Sequence, residues 1–483
     1  MVNELKHSHL QKFSIAFVLS IVILSDCVAQ KQGNIWYFGD SAGLDFNTYP
    51  PTPLLDGQTD FHLPLGWNEA TSSIADSSGN LLFYSNGERV WNKDHQIMPN
   101  GDNLLGHSSS AAAALIVPQP NSDYYYYLFT TDAGEHGFLN GMNYSLIDIC
   151  ADNNNGDIVS GEKNIHLVDT TSEKLEAVRH SNGVDYWIIT HKVYSNEFWS
   201  LLLTENGIVD TVISTTPSLD MIGWGGHMVV SQNGQQIAYA ITSIQTLLGR
   251  GLLLDFDNST GIVSNERMLV AGGRLYGASF SPDNSKLYFS TAGIGELFQF
   301  DLAAGSLADI IASKHFLFTG FPDQWRHHQL GPDGNIYISR AGQPYLARIE
   351  NPNLQGIGAV YVDNAVHLGG QFTSHGLPNL ITNYDYSNNL SYCPTTGISD
   401  FSNTKVNRIY PNPITDHSVI TLDPEFHESV KMELLDIQGR IVKELFDIED
   451  GGLLHRSQLP KGILIYRIYS NSKVVSMGKL IVE

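Results

Sequence analysis

Positive charge is scarce in this chain. Its 483 residues hold 27 Lys and Arg against 50 Asp and Glu, a formal net charge of −23. Such a surface repels phosphate backbones, which argues against nucleic acid as a partner. Charged residues of both signs reach only 16%. Cysteine is nearly absent as well: Cys27, Cys150 and Cys393 are the full set, and their spacing suggests no zinc site. Long apolar runs are missing too. The run FSIAFVLSIVIL at 13–24 is about a dozen residues, too short to span a bilayer. No other stretch is long enough, so no transmembrane span is expected.

That short run has a different meaning. Lys6 and Lys12 precede it and CVAQ follows it, so 1–29 reads as a signal peptide with Ala29 the last residue removed. A lipoprotein reading through Cys27 ranks second, because Asp26 stands where a small residue is needed. With Cys27 gone, Cys150 and Cys393 remain, either bonded in an oxidising compartment or as two buried thiols.

Glycine and aromatics are plentiful: 44 Gly, 22 Tyr and 21 Phe. With so little charge, this favours strands and turns over helices. The turns recur. DSSGNLLFYS, SQNGQQIAYA, SPDNSKLYFS and GPDGNIYIS share one pattern, and Gly183, Gly234, Asn284 and Gly334 stand 50 or 51 residues apart. Gly79 lies about two periods before Gly183, with PQPNSDYYYYLF between them. Pro282 and Pro332 preset φ, and Gly or Asn tolerates the left-handed conformation of a tight hairpin. A period near fifty with several strands per unit predicts the blades of a β-propeller.

The ends of the repeat region complete the count. QGNIWYFGDSAGLDFN at 32–47 begins without an inner strand, and TSHGLPNLI at 373–381 looks like an inner strand with nothing after it. Joined in space they make one blade, which gives seven and closes the ring, with six or eight as alternatives because 111–169 is irregular. The expectation is all-β: a propeller over 33–385, a Ser/Asn/Thr-rich linker over 386–404, and a small β-sandwich over 405–483. The repeat units resemble WD-like propeller repeats of bacterial secreted and periplasmic proteins. The stretch from NIWYFGDSAGLDFN to VWNKDHQIMPNG is similar to one group of Bacteroidetes surface propellers.

The tail carries YPNP at Tyr410, Pro411, Asn412 and Pro413, then LLDIQGR with Gly439, LPKGILIYRI with Gly462 and Tyr466, and a closing GKLIVE with Lys479. These motifs resemble the C-terminal sorting domain (type A) of the type IX secretion system of Bacteroidetes. The resemblance implies the secretion machinery as a partner, with passage across the inner and outer membranes to a secreted or cell-surface location. Its tail is often cleaved in that family.

Chemistry is harder to find. GHSSS at 106–110 begins like a nucleophile elbow, but Ser110 stands where Gly is required. In DICADNNNGDIVSGE, Gly156 falls where a calcium loop needs a ligand. No acid pair stands out for glycoside hydrolysis. No catalytic residue, metal site or cofactor is therefore assigned. His107, His227, His328 and His375 each lie near the start of an expected inner strand, with Glu69 and Glu176 in comparable places. They are the candidate ligand-binding residues at a channel mouth. The competing reading makes each histidine an anchor between blades. A Trp beside a His in WGGHMV and WRHHQL suits a sugar face or a structural anchor. The expected function is a non-catalytic binding module for a surface ligand, glycan or protein. The alternative is a secreted glycan-active or metal-dependent enzyme with its site at that mouth.

Overall fold

The computed structural model describes residues 31–59, 69, 71–217, 223–242, 249–293, 295–320, 325–383, 393, 408–422, 430–470 and 473–482. The signal-peptide reading, with Cys27 and Ala29, lies outside them. The chain divides into two compact units, 1–393 and 394–483.

Among the described residues of the first unit, seven antiparallel meanders follow one another. Sheet 1 runs from Ile35–Phe38 through Ala42–Asp45 to Thr52–Leu54, and sheet 2 from Ser72–Ala75 to Val90–Asn92. Sheet 3 starts at Ala114–Pro118 and ends on Met142–Asp148, whose outer edge pairs with Asp157–Ile158 and Ile165–Val168. Sheets 4 to 7 have four strands each. Their first strands are Thr171–Arg179, Met228–Val230, Leu275–Phe280 and Trp325–Leu330. Their last strands are Gly207–Thr215, Ile262–Ala271, His315–Thr319 and Val360–His367. First strands such as Ala114–Pro118 and Leu275–Phe280 are buried throughout, whereas Gly207–Thr215 is mostly solvent-facing. The first strands are therefore the inner ones. The turn positions that mark the repeat all adopt positive φ: 88° at Gly79, 77° at Gly183, 69° at Gly234, 62° at Asn284 and 78° at Gly334. A Cβ at Gly334 would touch nothing, so backbone conformation alone favours glycine there.

Apolar packing follows a cyclic order. Tyr37 of sheet 1 stacks on Tyr84 of sheet 2, with ring centroids 4.6 Å apart. Separate clusters join sheet 2 to 3, 3 to 4, 4 to 5, 5 to 6 and 6 to 7. A final cluster returns from sheet 7 to sheet 1, bringing Tyr337, Leu346 and Val366 onto Trp36, Phe38 and Leu44. Trp36 meets Tyr337 edge-on at 5.6 Å. The arrangement is all-β and propeller-like.

Leu377 joins that last cluster, but 373–381 is not the regular inner strand expected for sheet 1. Asp40 forms an antiparallel bridge with Phe372. Beyond it, Pro378 bridges in parallel to Thr71 of sheet 2, and Thr382 to Val178 of sheet 4. Pro378 has no N–H to donate, so a continuous ladder along sheet 1 fails there. Asn379 instead donates its N–H to the Thr71 carbonyl (2.7 Å) and its side-chain amide to that of Leu175 (3.1 Å). The segment thus runs between inner strands of different sheets.

The described residues of the second unit form two sheets. One pairs Arg408–Tyr410, His417–Thr421 and Gly452–His455. The other orders Ile441–Leu445, Val430–Leu435, Gly462–Ser470 and Lys473–Val482. Ile409, Ile420 and Leu454 of the first pack against Met432, Leu434, Ile468 and Leu480 of the second. This is a sandwich with its own core.

Cys150 and Cys393 form a disulfide, with Cα atoms 5.2 Å apart and 243 residues between them in sequence. Replacing either by Ser is expected to lower the unfolding free energy of the first unit by about 2–4 kcal/mol. Denaturant unfolding with and without dithiothreitol checks this: an unchanged midpoint on reduction would rule the bond out as a stabiliser.

Candidate functional site

The starts of the inner strands are stitched together by polar contacts between sheets. The Glu69 N–H donates to the Ser108 carbonyl at 2.9 Å, that of His227 to Tyr276 at 2.8 Å, and that of His327 to His375 at 3.2 Å. Lys174, almost fully buried, donates through Nζ to the carbonyls of Trp224, Gly225 and Gly226 at 2.9, 3.1 and 2.7 Å. Its neighbour Glu173 accepts from the Gly134 N–H at 2.9 Å. The meander order brings these strand starts to one end of the sheet array.

The six candidate residues do not form one ring. Glu176, His227 and His328 line a small cavity, together with Glu173, His327 and Asn379. Glu69 and His375 instead face each other, with Oε1 3.5 Å from Nδ1, and Glu69 also accepts from the Tyr276 hydroxyl. His107 stands apart, half-buried, its ring 6.1 Å from that of His136. The register explains the split. Glu176 opposes Ile189 deep in sheet 4, whereas Glu69 and His107 precede their strands.

Burial controls the charge states. It pushes Glu176 up to about 8, against hydrogen bonds from the backbone of Ala177 and Val230. Glu173 is held well above the usual carboxyl range by burial and by Glu69, and burial pulls Lys174 down although Glu173 and Glu69 oppose it. His327 and His328 are driven down to about 3 by burial, as is His191 in sheet 4. His227 falls well below the ordinary imidazole value for the same reason.

His328 is an anchor between sheets 6 and 7. Its Nε2 lies 2.8 Å from the Ser290 hydroxyl and its Nδ1 3.3 Å from that of Ser279, so both nitrogens are occupied. His227 and His327 have rings 3.8 Å apart, and Nδ1 of each is buried without a hydrogen-bond partner. Among the described residues no three His, Cys, Asp or Glu gather closely enough to hold a metal ion. Sequence reasoning passed over Glu173, Lys174, His327 and Tyr276. An EK pair inside TTSEKLEAVRH was the available signal, since charge within a fully buried strand demands partners.

In the second unit, Asn412 clamps the last strand. Its Nδ2 donates to the Lys479 carbonyl at 2.6 Å, and its Oδ1 accepts from the Ile481 N–H at 2.8 Å. The Pro411 carbonyl accepts from the Ser418 hydroxyl at 2.5 Å. Tyr410 is exposed at the end of its strand, and Pro413 leads into buried Ile414, whose N–H donates to the Ile481 carbonyl at 2.8 Å. Gly439 closes the DIQGR hairpin at φ 79°, and Gly462 opens the next strand at φ 120°. The Tyr466 ring lies over Gly478, where any Cβ would strike its hydroxyl at 2.5 Å.

The buried imidazoles make stability depend on acid. Each stays neutral in the fold but takes a proton near 6.5 when unfolded, so stability falls as pH drops from 6.5 towards 3. Glu176 acts oppositely: it keeps its proton in the fold between 4.5 and about 8, offsetting part of the loss. In urea titrations at stepped pH, His328→Gln is expected to flatten the acid slope by about one proton, roughly 1.4 kcal/mol per pH unit. Superimposable slopes would contradict a neutral buried His328.

Residues 408–483 match the family described as the secretion system C-terminal sorting domain. No curated protein matches the chain. Solved structures similar to it include a periplasmic gluconolactonase of Pseudomonas aeruginosa, 12% identical, covering 74% of this chain and 100% of that one at TM-score 0.37. Apo AztD from Citrobacter koseri is 11% identical, covering 72% and 87% at TM-score 0.37. Hydrazine synthase of Kuenenia stuttgartiensis is 11% identical, covering 62% and 80% at TM-score 0.37. At these scores none bears on the chemistry of this chain. The C-terminal unit, by contrast, is a type IX secretion sorting domain, which implies secretion or cell-surface display.

Proposed function

We propose that the chain is a secreted or surface-displayed seven-bladed β-propeller that acts as a non-catalytic binding module, exported by the type IX machinery of a Bacteroidetes-type envelope. The cyclic order of apolar clusters, ending with Tyr337 on Trp36, supports the closed ring. One observation carries the binding reading: three of the inward polar side chains, Lys174, His328 and Glu69, are committed to contacts between sheets. Lys174 is spent on three carbonyls, His328 on two serines, and Glu69 on His375 and Tyr276. The 377–382 segment runs beside the inner strands, and recognition falls to the loops at the mouth. The ligand is a surface glycan or protein.

A second reading rests on the small cavity. Glu176 keeps its proton up to about 8, beside His227 and His327, whose Nδ1 atoms lack partners. A carboxylic acid protonated at neutral pH suits general-acid catalysis. Incubating the secreted protein with a polysaccharide panel separates the two. Retention without new reducing ends supports the module. Turnover that Glu176→Gln abolishes supports the enzyme.

Export depends on the clamp at Asn412. Asn412→Ala removes two hydrogen bonds to the last strand and is expected to destabilise the second unit by about 1–3 kcal/mol. Fractionation of the producing cells should show the variant retained inside the outer membrane. Wild-type levels in the medium or on the surface would show the clamp to be dispensable.

A further inference from the structure

Resting on the binding-module reading, we propose that the mouth beside sheets 3 to 5 holds a subsite for a neutral saccharide, built from His107, Asp132, His136, Phe138, Tyr194 and Trp224. The loop after Tyr125–Thr131 carries Asp132, His136 and Phe138. Asp132 is completely buried, and its carboxylate accepts from the N–H groups of Ala133 and Asn140 at 2.9 and 2.8 Å. Its Oδ2 lies 2.8 Å from Nδ1 of His136, whose side chain is 45% exposed. A carboxylate only accepts, so Nδ1 of His136 carries a proton, which leaves Nε2 as the acceptor of the uncharged tautomer. His107 has the opposite tautomer. The Ser109 N–H donates to its Nδ1 at 3.1 Å, leaving the proton on Nε2. The two rings lie nearly parallel, 17° apart in plane with centroids 6.1 Å apart, and between them carry one donor and one acceptor. A vicinal diol has the matching pair.

Beside them stands an aromatic wall. Phe138 is buried and meets Trp224 edge-on at 5.9 Å and Tyr194 at 6.4 Å. Tyr194 is 68% exposed, held in a turn at φ 55°. The Trp224 indole lies so close over Gly134 that a Cβ there would stand 2.2 Å from Nε1. Gly134 in turn bonds Glu173, which fixes the loop to sheet 4. Rigid amphipathic rings beside oriented imidazoles suit a sugar, whose C–H face is apolar and whose rim is polar. The net charge of −23 and exposed Glu135 favour a neutral saccharide over a polyanion.

Calorimetry with the full secreted chain tests the subsite. The probes are neutral gluco-, manno-, xylo- and N-acetylglucosamine oligosaccharides, with dextran sulfate as the polyanion. At least one neutral series is expected to bind. Tyr194→Ala and His136→Ala, both at exposed side chains, should each weaken it about fivefold to tenfold with thermal unfolding unchanged. Asp132→Asn should weaken it too, through loss of the His136 tautomer. Neutral sugar binding that neither Tyr194→Ala nor His136→Ala alters would overturn the subsite and leave the binding-module reading intact. Failure of every neutral series at millimolar concentration, or binding of dextran sulfate alone, would also overturn it. Release of new reducing ends with the subsite variants impaired would support the subsite while ending the non-catalytic reading.

Discussion

Two apolar faces on nearly every sheet are the constraint on which the first unit depends. An inner strand such as Leu275–Phe280 is buried on both sides, so a linear stack would leave its first and last sheets with one face in water. The seam between sheets 7 and 1 removes that exposure. Trp36, fully buried, fills it with Tyr337, Leu346 and Leu377. Burying a side chain of this size stabilises by about 3 kcal/mol or more, and without the seam both edge faces would invite association with other chains.

The polar centre follows from the same geometry. Inner strands converge, so backbone groups at their starts face one another and must find partners in neighbouring sheets. Some do so directly, as His227 with Tyr276 and His327 with His375. Others need side chains. Lys174 supplies three donors to the turn before sheet 5, and Glu173 accepts from the loop after the second strand of sheet 3. An ammonium can enter so dry a place only because those carbonyls replace its water. Charge here organises the loops at the starts of the inner strands.

The outline of this fold was legible because its turns are chemically conspicuous. Gly183, Gly234, Asn284 and Gly334 stand at fixed spacing, and each adopts the left-handed backbone that tight hairpins need. The tail was legible because Asn412 and the glycines of its hairpins lie in short local motifs. The course of 377–382 was not, since a segment touching sheets 2 and 4 leaves no periodic trace. The candidate site was legible only in part. Position before an inner strand identified His107 and Glu69 but could not separate a mouth residue from an anchor such as His328, whose serine partners lie 38 and 49 residues earlier. The Asp132–His136 pair is local, four residues apart. Only the depth of Asp132 distinguishes it from an ordinary surface pair, and depth is set by tertiary packing.

Among the described residues, the core clusters and the disulfide of the first unit run from Ile35 to Cys393. The seam uses residues between Trp36 and Leu377, and the disulfide joins Cys150 to Cys393 at the unit's final position. The sorting unit, for its part, keeps a separate core from Ile409 to Val482 and clamps its own last strand through Asn412. Cutting the chain after Cys393 would therefore remove the sorting domain while leaving the Trp36–Tyr337 seam and the Cys150–Cys393 cross-link in place. The seam and the cross-link are thus made by residues of the first unit, and the clamp on the last strand by residues of the second.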